Sequence, residues 1–384
     1  MVMMDFLHES YELGPIRPPS EAYSFLIRVT RNCPWNRCKF CPIYKNAKFQ
    51  LRSVEEIKQD IRTARTIYDK ILELAKQSGY GSDIREAAAI VCNNAPDDAC
   101  RNVALWIYAG GKHAFLQDAD TLIIKTSDLV EVIRYLKETF PGIARITSYA
   151  RSKTAARKSL EELVALRQAG LTRIHIGLES GSDSVLAFMD KGVTAADHIA
   201  GGRNVVASGI SLCEYIMPGA GGKKMWREHA LETAGVLNQI NPDFIRLRTL
   251  TVQPRMPLHK DVINGDFIRS TDEEIVEEIK FLVENLDCSS CVVSDHMINL
   301  LPEVEGKLPE DKEKMLAVIG SFQALPPEAR DNYKLGRRLG MYNKLEELDD
   351  HSRYTEVKRL VERIAQKDSD ALDEVLFNLT ERYI

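Results

Sequence analysis

The sequence predicts an α/β fold built on a parallel sheet, with a helical C-terminal extension. Short apolar runs centre near Phe25, Phe115, Ile146, His175, Glu214 and Ile245, and each is followed by an amphipathic helical pattern. From His113 on, the runs recur about every thirty to forty residues, the size of a strand–helix unit, and such alternation implies parallel strands. Gly170 and Gly209 stand where helix C-caps belong. Six strand–helix units fall short of the eight in a closed barrel.

In chain order, residues 1–23 form a lead segment. Its Gly14-Pro15-Ile16-Arg17-Pro18-Pro19 run argues for extended coil. Residues 24–30 read as the first strand, and a cysteine-bearing loop follows to about Arg52. Ser53-Val54-Glu55-Glu56 is a capping box that opens a long helix to about Lys76, ended by Gly79 and Gly81. Residues 80–112 read as an insertion or elongated crossover, with two helical stretches around Asn93-Asn94-Ala95-Pro96-Asp97. The regular rhythm then predicts helices over 128–139, 159–169, 182–189, 195–207, 226–239 and 272–286. The body of the fold thus covers residues 24–300, and residues 301–384 form a charged helical extension in which Lys334, Arg337 and Arg338 read as a solvated face.

Alternation along the later strands separates two faces. Ile174, Ile176 and Leu178 oppose His175, Gly177 and Glu179, while Ile245 and Leu247 oppose Arg246 and Arg248. The apolar face suits packing on helices and the polar face suits a ligand-lined interior. Arg246 and Arg248 fit either an anionic ligand or internal salt bridges to Glu179 or Glu214.

Composition bounds the function. Hydrophobic residues make up 44% and charged residues 28%, with a net charge of −5, so no general basic footprint for nucleic acid is visible, although a local patch is not excluded. No apolar run reaches the length of a membrane span, and residues 1–7 lack the pattern of a secretory signal. Eight cysteines, three of them clustered, suit metal binding in a reducing cytoplasm rather than a disulfide framework.

The cluster is Thr30-Arg31-Asn32-Cys33-Pro34-Trp35-Asn36-Arg37-Cys38-Lys39-Phe40-Cys41-Pro42, spaced C-x4-C-x2-C. Three thiolates with no neighbouring histidine suit a cubane iron–sulfur cluster better than tetrahedral zinc, which wants four ligands. The same spacing with one distant cysteine also occurs in plant-type ferredoxins, where Cys92 would be the fourth ligand of a 2Fe–2S centre. That alternative is a non-catalytic electron-transfer protein.

The loop resembles the cluster loop of radical S-adenosylmethionine (radical SAM) enzymes, with Phe40 matching the aromatic before the last cysteine. The family's usual first gap is three residues, and the wider gap here is similar to the branch near oxygen-independent coproporphyrinogen oxidases and Elongator-type catalytic subunits. The resemblance implies a partial (β/α)6 TIM-like barrel and a 4Fe–4S cluster on Cys33, Cys38 and Cys41. It implies anaerobic reductive cleavage of S-adenosylmethionine to a 5′-deoxyadenosyl radical that acts on substrate. Within that reading porphyrin, RNA-base and small-metabolite substrates all stay open, a small molecule foremost, with an external flavodoxin- or ferredoxin-like electron donor and no membrane partner.

The resemblance also distributes cofactor contacts over the strand ends. The family's glycine-rich second signature falls at Leu116-Gln117-Asp118-Ala119-Asp120, where Gln117, Asp118 or Asp120 offers acceptors for an ammonium, or a strand-end turn. Ser148 and Arg151 follow the third strand, and Arg151 suits a carboxylate or a surface role. Glu179 and Ser180, in Gly177-Leu178-Glu179-Ser180-Gly181-Ser182, resemble the ribose and carboxylate contact region, and Glu179 alternatively caps the next helix. Gly219, in Pro218-Gly219-Ala220-Gly221-Gly222, permits close backbone approach. His175 reads as a satisfied interior histidine and His296 as a hydrogen-bonded one near the mouth. No catalytic residue is assigned. Cys92, Cys100, Cys288 and Cys291 either bind a second cluster or are reduced and structural, and the spacing favours the second.

Overall fold

The strands are β1 (Phe25–Arg28), β2 (Thr30–Arg31), β3 (Gln50–Leu51), β4 (His113–Gln117), β5 (Arg145–Ala150), β6 (Leu171–Glu179), β7 (Ser211–Ile216), β8 (Phe244–Leu247), β9 (Cys291–Val293) and β10 (Gly306–Lys307). They come from a computed structural model that describes residues 9–77, 83–366 and 371–381. The expected helix-ending glycines Gly79 and Gly81, and residues 1–7 with their expected lack of a signal, lie outside the described residues. The main sheet has the order β1-β4-β5-β6-β7-β8-β9-β10 and is mostly parallel, the arrangement of a partial (β/α) barrel. β2 and β3 pair antiparallel as a separate ladder on either side of the cysteine loop.

All six expected strands are present, and the sheet extends beyond them. β9, the apolar run at Val292, pairs parallel with β8, and β10 pairs antiparallel with β9. β9 has three residues and β10 two, too few for periodicity to reveal a strand.

The helices are α1 (Val54–Gln77), α2 (Ile84–Asn94), α3 (Asp98–Tyr108), α4 (Thr126–Thr139), α5 (Ser152–Arg157), α6 (Leu160–Ala169), α7 (Asp183–Phe188), α8 (Ala195–Ala207), α9 (Gly222–Ile240), α10 (Leu258–Ile263), α11 (Asp272–Asn285), α12 (Lys312–Ala324), α13 (Pro327–Arg338), α14 (His351–Ala365) and α15 (Ala371–Thr380). Only α5 and α10, six residues each, have no counterpart in the sequence reading.

The chain packs as two units. The first holds the chain up to Asn36, Ile43–Ile176 and Asn204–Leu212; the second holds Arg37–Pro42, Gly177–Arg203 and the chain from Cys213 onward. In the first, the capping box forms as expected. The Glu56 amide donates to Ser53 Oγ at 3.2 Å and the Ser53 amide to Glu56 Oε2 at 2.8 Å. Ile57, Ile61, Ala64, Ile67, Ile71 and Leu74 then place one buried stripe along α1. Each isoleucine so buried contributes about 1.5–3 kcal/mol.

The segment read as an insertion is part of the crossover from β1 to β4. Asp83 and Asp97 cap α2 and α3 by accepting from the Arg85 and Cys100 amides. Small buried residues, Ala87, Ala88, Ala99 and Ala104, let the two helices approach. Phe25 of β1 packs on Trp106 of α3 and on Phe140, each 5.2 Å between ring centres. That contact marks the helix-facing side of the sheet. Register carries it through Phe25↔Ala114 and Ala114↔Ile146, while Phe115, Thr147, Tyr149 and His175 share the other side.

In the second unit the helical extension corrects one expectation. Lys334 and Arg338 are not on a solvated face: they are 3% and 2% exposed. Lys334 pairs with Glu273 at 2.5 Å and Asp331 at 2.8 Å, and Arg338 pairs with Asp272 at 2.6 Å and donates to the Ile298 carbonyl. Arg337 is half-buried and donates to the Tyr342 carbonyl at 3.5 Å. The acidic first turn of α11 receives the cations of α13, where helix-end charge favours carboxylates and the carboxylates then recruit partners.

Candidate cofactor site

The cysteine loop divides between the units, Cys33 in the first and Cys38 and Cys41 in the second. Asparagines shape its first part. Asn32 and Asn36 adopt left-handed backbone, φ 69° and 50°, which asparagine tolerates better than most residues. The Asn32 side chain donates to the Lys48 carbonyl at 2.7 Å, and that of Asn36 to the Tyr44 and Ala47 carbonyls. The Asn36 amide donates to Cys33 Sγ at 3.4 Å.

Lys39, between the last two cysteines, pins the second part. Its amide donates to the Met189 carbonyl at 2.9 Å, its carbonyl accepts from the Leu258 amide at 3.0 Å, and its ammonium pairs with Asp261 at 3.1 Å above the Phe188 ring.

At the end of β4 the structure brings Gln117, Asp118 and Asp120 together but commits each to protein. Gln117 accepts from the Gly14 amide at 2.9 Å and donates to the Gly14 and Ile16 carbonyls, holding the lead segment. Asp118 is fully buried. It pairs with Arg28 at 2.8 Å and accepts from Tyr44 Oη at 2.5 Å and the Asn32 amide at 3.1 Å, so it ties the cysteine loop to β1 and β4. Burial and the Asp118 charge push the Tyr44 hydroxyl far above its ordinary value. Asp120 accepts from the Arg151 amide at 3.1 Å and Thr154 Oγ1 at 2.6 Å, and burial raises its carboxyl to about 6.

Ser148 is buried on the helix-facing side, in register with Leu116 and Ile174. Position after a strand was its only sequence signal, and register turns it away from the polar side. Arg151, in contrast, lies with its guanidinium 5.3 Å from the Trp35 ring of the cysteine loop.

The end of β6 is arranged differently. Glu179 has φ 64°, a left-handed conformation costly for a residue with a Cβ. Its carboxylate folds over Gly177, where a Cβ would collide with Oε1, and pairs with Lys191 at 3.1 Å rather than capping α7. The Lys191 ammonium stands 5.4 Å from the Phe40 ring, so the aromatic of the cysteine loop touches the Glu179–Lys191 pair.

Beside them, Glu214 on β7 is fully buried, and neither carboxylate oxygen has a hydrogen-bond partner among the described residues. Burial raises it well above the carboxylate range, Lys191 opposes that rise and Glu179 adds to it. Glu214 was named in the sequence only as a partner for arginine. Arg246 instead pairs with Asp295 at 3.5 Å and lies over Tyr215.

Two expected contacts, Ser180 and Gly219, are joined through buried side chains that the sequence did not single out. His229 Nδ1 lies 2.8 Å from Ser180 Oγ and Nε2 lies 3.1 Å from the Met217 carbonyl. Glu278 accepts from the Gly219 amide at 2.8 Å and stands 3.3 Å from His229 Nε2. Burial holds His229 down to about 4 and lifts Glu278 to about 8, each toward its neutral form, which favours a neutral contact over an ion pair. The Ser180 hydroxyl then donates to Nδ1 and Nε2–H donates to the Met217 carbonyl. Gly219 has φ 89°, open to glycine alone at no cost.

His175 is buried edge-on to Tyr149, and His296 accepts from the Ile298 amide at 3.3 Å, as expected of a hydrogen-bonded histidine.

The donor chemistry of Cys33, Cys38 and Cys41 fits an iron–sulfur cluster. They are half-buried thiols in one short loop, and a backbone amide already points at one sulfur. Among the described residues, no three His, Cys, Asp or Glu side chains gather as ligands of a single metal ion. A cluster's ligands each take a separate iron and need not converge. Cys92 and Cys100 lie in the first unit, Cys288 and Cys291 in the second, all free, and burial pushes the Cys100 thiol up to about 11.

Comparison with known proteins gives three findings. The profile of the Radical SAM superfamily matches residues 27–234. A tRNA-2-methylthio-N(6)-dimethylallyladenosine synthase from Syntrophus aciditrophicus (strain SB) is 29% identical over 223 residues, 55% of this chain and 44% of that protein, so the chain spans less than half the length of that curated relative. Solved structures that match include coproporphyrinogen III oxidase from Escherichia coli (14% identity, 68% of this chain and 52% of that chain, TM-score 0.44) and the archaeal Methanocaldococcus infernus Elp3 (13%, 70% and 56%, 0.41).

Proposed function

Because this chain belongs to the Radical SAM superfamily, whose enzymes use a 4Fe–4S cluster and S-adenosylmethionine, we propose that Cys33, Cys38 and Cys41 hold that cluster and that the ends of β5, β6 and β7 hold S-adenosylmethionine. When bound, the cluster supplies the electron that splits S-adenosylmethionine into methionine and a 5′-deoxyadenosyl radical.

The chain's own residues bind and orient. Glu179 accepts from ribose hydroxyls or an ammonium, and Lys191 pairs with its carboxylate at 3.1 Å. The backbone around Ser180 and Gly219 borders the nucleoside, held rigid through His229 and Glu278. Arg151, stacked near Trp35, takes a carboxylate. Gln117, Asp118 and Asp120 shape the loop and leave binding to others. Met189, Met217 and Phe188 exclude water on the Phe40 side.

The observation that carries the reading is the contact of Phe40, between Cys38 and Cys41, with the Glu179–Lys191 pair. It supports one site made of cysteine loop and strand end, which an electron carrier does not need. The substrate is a small molecule, and the electron that the cluster would pass on comes from a flavodoxin- or ferredoxin-like donor. The tRNA-modifying relative raises an RNA substrate, which a net charge of −5 disfavours. The test is anaerobic incubation of the reconstituted protein with dithionite and S-adenosylmethionine. 5′-Deoxyadenosine formation lost in Cys38→Ala is expected; none from a fully loaded protein overturns the reading.

A further inference from the structure

A cavity of about 420 Å3 lies in the second unit, within the size range of small-molecule sites. Its floor is Gly219, after β7, and Thr249 to Val252, after β8; one wall is Arg269 and Ser270 with the first turn of α11. Its roof is α15, through Leu376 and Phe377, and Gln253 fastens that roof by donating to the Glu381 carbonyl at 2.8 Å.

Three features show that the cavity is built for a polar end on an apolar body. Thr251 Oγ1 and Ser270 Oγ are buried without a hydrogen-bond partner among the described residues. An unmet buried hydroxyl is costly unless a ligand meets it. Arg269, half-buried, lies 3.4 Å over the Phe377 ring and makes no hydrogen bond or ion pair within the described residues. A guanidinium so placed keeps its donor fork for a planar acceptor. Finally, Val252, Phe267 and Phe377 belong to the apolar cluster that also takes in Phe40, so the cavity wall continues into the segment carrying Cys38 and Cys41. A substrate attacked by a radical must sit close to its source.

We propose that this cavity is the substrate site, and that it takes a small, largely apolar molecule bearing a single carboxylate held by Arg269. The proposal rests on the radical SAM reading above for why a substrate belongs there. One negative charge is the right number. Asp373 and Glu374 stand at the rim and Glu374 and Glu381 oppose the Arg269 field, which disfavours a phosphodiester chain.

The test uses the full chain without cluster or S-adenosylmethionine, so it stands apart from the cleavage assay. Phenylacetate and its uncharged amide, phenylacetamide, are titrated by calorimetry and ligand-observed NMR. The acid should bind in the millimolar range, about tenfold more tightly than the amide. Arg269→Gln should bring the acid down to the amide's affinity and leave the amide unchanged. Leu376→Trp, filling the space from the roof, should abolish both, and serves if the arginine variant does not fold. Equal binding of acid and amide, no binding of either, or acid affinity untouched by Arg269→Gln overturns the proposal. So does RNA binding that Leu376→Trp removes. 5′-Deoxyadenosine formed by a protein that binds no carboxylate overturns the site and leaves the radical SAM reading standing.

Discussion

At the end of β4, Asp118 is fully buried, and an arginine, a tyrosine hydroxyl and a backbone amide all donate to it. At the end of β6, Glu179 sits on strained backbone with a lysine beside it, next to Glu214, whose oxygens no described group meets. Each end touches the cysteine loop, the first through Tyr44 and Asn32, the second through Phe40. Their chemistry is similar and their bookkeeping is opposite. A carboxylate whose oxygens are all answered by protein adds rigidity. One held in a costly conformation with capacity to spare is arranged for something that arrives later.

The largest effect should come from the element both ends serve. Cys38→Ala is expected to remove the charge-transfer absorbance of the reconstituted cluster and all cofactor cleavage. A variant that keeps full activity would remove the loop from the account. Asp118→Ala comes next. It leaves Arg28 with Glu12 alone as its ion-pair partner among the described residues and removes the acceptor of Tyr44, and should cost about 2–4 kcal/mol in denaturant unfolding of the cluster-free chain. An unchanged midpoint would erase the difference between the two strand ends.

Glu179→Gln should act the other way round. Affinity for S-adenosylmethionine falls by about 1–3 kcal/mol, while stability of the cluster-free chain changes by less than about 1 kcal/mol, since glutamine keeps the same backbone strain and only the Lys191 pair is weakened. Loss of stability without loss of affinity would return Glu179 to a structural role.

The smallest expected effect is a pH limb. His229, depressed to about 4, contributes stability that is complete above its ordinary pKa of about 6.5 and is lost as pH falls through 4. Glu278, raised to about 8, contributes stability that is complete below the ordinary carboxylate range and is lost as pH rises through 8. The two linkages oppose each other between about 4.5 and 6.5, so cluster-free stability should decline chiefly as pH rises from about 6.5 to 8. Glu278→Gln should remove that decline and uncover the His229 acid limb below about 6.5; a decline between 6.5 and 8 that survives the substitution would rule out Glu278 as its cause.

The fold was largely legible because its signals are local. Apolar runs near Phe115, Ile146, His175, Glu214 and Ile245 each became a strand, and Ser53 with Glu56 opened α1. What escaped was short or relational. β9 and β10 are too brief to show a period, and Lys334 and Arg338 look solvated until Asp272 and Glu273 are known to lie opposite. At the candidate site, cysteine spacing is a chain-local property and could be read directly. The roles of Gln117, Asp118 and Asp120 depend on Gly14, Arg28 and Arg151, and those of Ser180 and Gly219 on His229 and Glu278. No local pattern announces such partners, and Ser148 shows how proximity to a strand end misleads when the register turns the residue to the helices.

The central claim is that three thiolates hold a cluster whose remaining iron is open to S-adenosylmethionine. The most direct measurement is the electron paramagnetic resonance spectrum of the reduced, reconstituted protein, with iron at about four per chain, before and after S-adenosylmethionine is added. The account predicts that the signal changes on addition, and less so in Glu179→Gln at the same cofactor concentration. A spectrum that stays the same at saturating S-adenosylmethionine would contradict it and leave an electron-transfer centre in its place.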